Sequence, residues 1–117
     1  MRPLDALAER IAALDRPLLL ALDVDGTISP IVRDPDRARI PDPTIEVLRE
    51  LANAPSVVLA LITGRDFDSL RRMEQLGGIW RAVEHGGLIL GPKERPGQRL
   101  LPERQQKALE QFDQWVA

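Results

Sequence analysis

Apolar runs alternate with polar breaks along this chain, and the spacing assigns most of its elements. Leu4, Leu7, Ala8, Ile11 and Leu14 recur at helical spacing with Asp5, Glu9 and Arg10 between them, which predicts an amphipathic helix from about Leu4 to Leu14, ended by Pro17. Leu18–Leu22 is apolar at every position, as in a short strand covered on both faces within a parallel sheet, so the first strand is expected to be internal. From Thr27 to Asp42 the chain carries Pro30, Pro35 and Pro41 among Asp and Arg residues, the composition of a long ordered loop, and long loops in compact domains tend to be functional.

Asp42 is an expected N-cap, with Pro43 in the first helical position and Ile45, Leu48, Leu51 and Ala52 as the apolar face of a crossover helix. Val57–Ile62 repeats the character of the first strand. Asp66 is placed to cap a helix with Phe67, Leu70 and Met73 on its inner face, stopped by Gly77 and Gly78. A third strand is expected around Trp80–Glu84, then a small hairpin of Leu88–Leu90 and Arg99–Leu101 about a Gly/Pro turn. Ala108, Leu109, Phe112, Trp115 and Val116 form a last helical stripe after Pro102. The order helix, strand, helix, strand, helix, strand predicts βαβ units with right-handed crossovers, an α/β fold.

Composition narrows the function. At 117 residues the chain is one domain at most, and a formal charge of -2 gives no electrostatic hold on nucleic acid or an anionic membrane, so neither is expected as a partner. There is no cysteine, which excludes disulfides and thiolate metal sites. The run Leu18–Leu22 is far too short to span a bilayer, and no signal-like N-terminus precedes it, so the default location is cytoplasmic.

In an open parallel sheet, ligands bind beyond the carboxyl ends of the strands. Here those ends read Asp23-Val24-Asp25-Gly26-Thr27, Thr63-Gly64-Arg65-Asp66 and Glu84-His85-Gly86-Gly87, polar where each strand is apolar. If the backbone stays extended, Asp23 and Asp25 leave the strand on the same side, and two carboxylates so close call for a cation. A hard ion such as Mg²⁺ prefers oxygen ligands and leaves positions open for phosphate. Gly26 allows a sharp turn or close approach to a ligand. The alternative for the same residues is an acidic turn with Asp caps.

At the second strand end, the Thr63 hydroxyl and the open Gly64 N–H, just before a helix, suit a phosphate group, and Arg65 could add a charge-assisted bond. These residues equally suit a βα turn with Asp66 as cap and Arg65 in solvent. His85 is the single histidine. It either lines the site or is satisfied by a backbone carbonyl, and Glu84 and His85 suit substrate contact or positioning better than chemistry.

The stretches "LLALDVDGTISPIVRDPDRARIPD", "LALITGRD" and "AVEHGGLIL" resemble the first two signature motifs and the following strand of the haloacid dehalogenase superfamily, specifically its trehalose-6-phosphate phosphatase branch. The resemblance runs from about Pro17 to Pro92. It implies a three-layer Rossmann-like core and Mg²⁺-dependent hydrolysis of a phosphorylated sugar, trehalose 6-phosphate, in trehalose biosynthesis. Asp23 would be the nucleophile and a metal ligand; Asp25 would be the acid and base and give its main-chain carbonyl to Mg²⁺. Thr63 and Gly64 would hold the phosphoryl oxygens, with Gly26, Thr27, Arg65, Glu84, His85 and Gly86 around phosphate and substrate.

Family members carry two further motifs, a lysine and an acidic pair, beyond an inserted cap. This chain has only Lys93 and Lys107 and no such pair after Thr63. It therefore reads as the N-terminal half of the core over residues 1–92, with a hairpin or linker and the first cap helix over 93–117. In that half the first strand would be an open edge, and self-association through it is expected. Two other readings use the same residues. One is a non-catalytic half-domain that binds Mg²⁺, a sugar phosphate or a partner chain; the other is a receiver domain, which would need a phospho-accepting aspartate after the third strand where Glu84-His85 stands.

Overall fold

The structure, a computed structural model, describes residues 2–97 and 111. Helix α1 (Pro3–Ala12) precedes strand β1 (Leu18–Asp23); α2 (Asp42–Asn53) leads to β2 (Val57–Ile62), α3 (Phe67–Met73) to β3 (Trp80–Val83), and β4 (Leu88–Leu90) follows. One sheet contains all four strands in the order β1-β2-β3-β4. β1 pairs in parallel with β2, from Leu18 opposite Val57 to Asp23 opposite Ile62, and β2 pairs in parallel with β3. The α/β class and the two βαβ units are as the sequence predicts.

Both crossovers step the same way across the sheet, so their right-handedness puts α2 and α3 on one face. Leu48 of α2 and Leu70 and Met73 of α3 join Leu59, Leu61 and Val83 of the strands in a single core. Among the described residues, helices and sheet thus meet on one side only. The opposite face carries Leu19, Ala21, Val58, Ala60, Ile62, Trp80, Ala82 and Ile89 along a shallow apolar groove, with Leu19 64% exposed.

Several expectations are corrected. β1 lies at the sheet edge, as expected for this half of the core and not internal as its apolar run by itself suggested, and it alternates half-buried with exposed because among the described residues no helix covers its second face. Among the described residues, α2 and α3 pack with the sheet in one core. α1 has its amphipathic pattern, yet none of its residues is buried. Asp42 is the first residue of α2 rather than its cap, since Pro41 occupies the N-cap position with no side-chain bond.

α3 does end early, at Met73 and ahead of the two glycines. The reason is the buried Glu74, whose carboxylate accepts from Leu76 N–H at 2.8 Å and Arg81 Nε at 2.7 Å and so draws the chain out of the helix. β4 pairs antiparallel with β3, Val83 opposite Leu88, so the hairpin partner of Leu88–Leu90 is β3. The expected strand Arg99–Leu101 and the helix after Pro102 lie outside the described residues, apart from Gln111. Among the described residues no helix is long and apolar enough to cross a membrane.

Candidate active site

The carboxyl ends of β1, β2 and β3 border one cavity of about 530 Å³, lined by Asp23, Asp25, Thr63, Gly64, Arg65 and His85 from the strand ends. Burial alternates through the first end: Asp23 and Asp25 are exposed and Val24 is fully buried between them. The backbone leaves β1 at Asp23, and Asp25, in an isolated bridge with Ser29 just beyond it, also lines the cavity. The chain then turns sharply. The Val24 carbonyl accepts from the N–H groups of Thr27, Ile28 and Ser29, and Gly26 N–H donates to the Ser29 carbonyl at 2.7 Å. Gly26 has φ +83°, a left-handed conformation that any side chain would strain, and a Cβ there would press on Ile31 at 3.1 Å.

At the second end, the buried Thr63 hydroxyl accepts the Arg65 N–H at 3.0 Å, which folds the turn back over the strand. The Arg65 side chain then spans the cavity floor. Its Nε donates to Asp25 Oδ2 at 2.9 Å and its Nη2 to Asp25 Oδ1 at 2.8 Å, a bidentate fork that matches the planar guanidinium to the carboxylate. Nη1 donates to Ser69 Oγ at 2.9 Å. The Arg65 hydrogen bonds hold the Asp25 carboxyl below its usual range, with burial pushing the other way and the Arg65 charge adding to the lowering.

The third end is strained. Glu84 and His85 take successive left-handed conformations, φ 53° and 56°, before Gly86 at 85°. Left-handed backbone at two non-glycine residues costs free energy and persists only where neighbours hold it. Here Glu84 N–H donates to the Arg65 carbonyl at 2.8 Å and His85 N–H to the Thr63 carbonyl at 3.1 Å. These bonds clamp the third end onto the second and lay the imidazole over Gly64. A Cβ at Gly64 would fall 2.6 Å from His85 Nε2, so with the ring in this position a larger residue would have to displace it.

Asp23, Asp25, Thr63, Gly64, Arg65 and His85 are thus brought together. Gly26, Thr27 and Gly86 shape the turns without lining the cavity, and Glu84 faces a neighbouring cleft beside Asp66, Asp68 and Arg95. Lys93 lies in another cleft, with Arg71 and Arg95, and Lys107 is outside the described residues. The cavity also takes Ile31, Val32, Pro35 and Asp36 from the long loop and Ser69 from α3. The prolines pointed to a functional loop but not to its contacting residues. Helical spacing gave no signal for Ser69, because Arg65 precedes the Asp66 N-cap and lies outside α3.

As a cation site the donors fit in kind, all being hard oxygens. Among the described residues no three carboxylate or imidazole groups converge as a ready metal cluster. Both Asp25 carboxylate oxygens are engaged by Arg65, which leaves the Asp23 carboxylate and the Asp25 main-chain oxygen as the groups suited to a divalent ion.

The comparisons with known proteins agree with this layout. The sequence profile of the trehalose-phosphatase family matches residues 21–116. Trehalose-phosphate phosphatase B of Arabidopsis thaliana is 34% identical over 121 residues, covering 90% of this chain and 32% of that protein. A trehalose-6-phosphate phosphatase structure from Aspergillus fumigatus superposes with a TM-score of 0.61 at 29% identity, covering 83% of this chain and 38% of that one. The C-terminal domain of the C. albicans trehalose-6-phosphate phosphatase shares the fold, with a TM-score of 0.71 over 97% of this chain and 40% of its own. The chain therefore spans about a third of the Arabidopsis relative and two-fifths of these structures.

Proposed function

The chain belongs to the trehalose-phosphatase family, and on that premise we propose that its cavity is the site of phosphate-monoester hydrolysis, with trehalose 6-phosphate as the substrate and Asp23 as the nucleophile. The observation that carries the reading is the placement of Asp23 and Asp25 on one side of the β1 end, facing the Thr63-Gly64-Arg65 turn across a single cavity. Two carboxylates of the same chemical type there have different surroundings. Asp25 is gripped by Arg65, whereas Asp23 projects at the strand terminus.

In the first step an Asp23 carboxylate oxygen bonds to phosphorus and the bond from phosphorus to the sugar oxygen breaks, while Asp25 gives that oxygen a proton. In the second step Asp25 takes a proton from water, the water oxygen bonds to phosphorus, and the bond to Asp23 breaks to release phosphate. Thr63 Oγ and Gly64 N–H are the donors for the transferred oxygens. Mg²⁺, held by the Asp23 carboxylate and the Asp25 main-chain oxygen, would supply charge neutralisation between carboxylates and phosphate.

Arg65 links the two steps. In the free site it keeps Asp25 ionised, the state of a base. A phosphate dianion competes for the same guanidinium, and transfer of part of the fork to phosphate frees Asp25 to carry a proton.

The test is phosphate release from trehalose 6-phosphate with and without Mg²⁺, beside Asp23→Asn. Metal-dependent release that Asp23→Asn abolishes is the expected result. Release equal to that of Asp23→Asn would overturn turnover by this chain, and saturable Mg²⁺ or sugar-phosphate binding without release would favour a non-catalytic binding role.

A further inference from the structure

We propose that Ser69 is a positioning residue: its hydroxyl is the pivot that fixes the Arg65 guanidinium and, through it, the Asp25 carboxylate. The three polar edges of Arg65 are divided between two partners. Nε and Nη2 go to Asp25 at 2.9 and 2.8 Å, and Nη1 goes to Ser69 Oγ at 2.9 Å. A planar group held on both sides cannot rotate about its long axis without breaking one set.

The Asp25 side of this arrangement is the wetter one. Its side chain is 41% exposed while that of Arg65 is 11% exposed, so water competes for the carboxylate contact more than for the inner one. A half-exposed ion pair alone would be a loose tether. Ser69 supplies the inner anchor, and it is itself held, because its own N–H donates to Asp66 Oδ1 at 2.8 Å in the capped first turn of α3. Asp66, Ser69, Arg65 and Asp25 thus form one continuous chain of hydrogen bonds from the helix to the end of β1.

Held at Nη1, Arg65 can turn its fork from Asp25 toward an arriving phosphate and back without leaving the cavity. This catalytic consequence rests on the phosphatase reading; the hold on Arg65 does not. The two are separated by measuring Arg65 directly, through water exchange of its Nε–H in ¹H–¹⁵N spectra, assigned with Arg65→Lys, in the wild type, Ser69→Ala and Ser69→Thr.

Ser69→Ala is expected to speed Nε–H exchange by about fivefold or more, the effect of losing one hydrogen bond to a charged group, with the α3 amide signals in place. Ser69→Thr keeps a hydroxyl and is expected to restore slow exchange. In the phosphate-release assay Ser69→Ala is expected to lower kcat by roughly three- to tenfold with little change in KM, and Ser69→Thr to recover it. Equal exchange in wild type and Ser69→Ala, or exchange in Ser69→Thr as fast as in Ser69→Ala, would overturn the proposal. If the wild type releases no phosphate, the phosphatase reading fails while the exchange comparison still decides the role of Ser69.

Discussion

Arg65 and Asp25, forty positions apart in sequence, meet through two hydrogen bonds of 2.9 and 2.8 Å that join the end of β2 to the end of β1. The pair has a pH signature whose sign is fixed by the direction of the shift. The Asp25 carboxyl is lowered in the folded protein, so its contribution to stability is present above the ordinary carboxylate value and is lost as pH falls through the lowered folded value. Arg65→Gln lacks that contribution. Thermal melts of wild type and Arg65→Gln should therefore differ at neutral pH and converge in strong acid, and the neutral difference should shrink in high salt because the pair is partly exposed. Direct titration of the Asp25 carboxyl by carbon NMR should place it nearer its usual value in the variant.

The His85 ring occupies the space that a Cβ at Gly64 would take. Gly64→Ala puts a Cβ into the imidazole and should cost about 1–3 kcal/mol in urea denaturation, the usual range for overpacking. The double variant Gly64→Ala with His85→Ala removes the collision and should recover most of that loss. Additive losses in the double-mutant cycle would show that the ring does not set the requirement for glycine.

Glu74 and Arg81 are buried together, with Nε to Oε1 at 2.7 Å and side chains 0% and 4% exposed. Removing one partner leaves a buried charge behind, so Arg81→Met should lose about 3–5 kcal/mol in the same assay. Replacing both, with Glu74→Leu added, should cost less than Arg81→Met alone. The pair sits between α3 and β3, and its loss should also loosen the strand that leads into Glu84 and His85.

Among the described residues nothing pairs with the outer edge of β1, and that edge and the apolar face it borders support self-association of this chain. Light scattering should rise with concentration beyond monomer mass, and Leu19→Lys with Val58→Lys should suppress the rise at little cost in melting temperature, since both positions are exposed. A wild-type monomer at all concentrations would refute this.

Sequence alone determined most of the elements and the polar residues at the strand ends. The apolar runs Leu18–Leu22 and Val57–Ile62 found their strands because local periodicity and chain direction are written in consecutive residues, and the same closeness in sequence sets Asp23 and Asp25 together at the end of β1. Tertiary structure decided the rest. The apolar character of β1 does not say which of its faces a helix covers, because covering depends on crossover direction and on neighbours elsewhere in the chain. The left-handed backbone of Glu84 and His85 exists through bonds to Arg65 and Thr63. The Arg65 fork on Asp25, anchored by Ser69, joins residues whose pairing appears only when the parallel register aligns two strand ends.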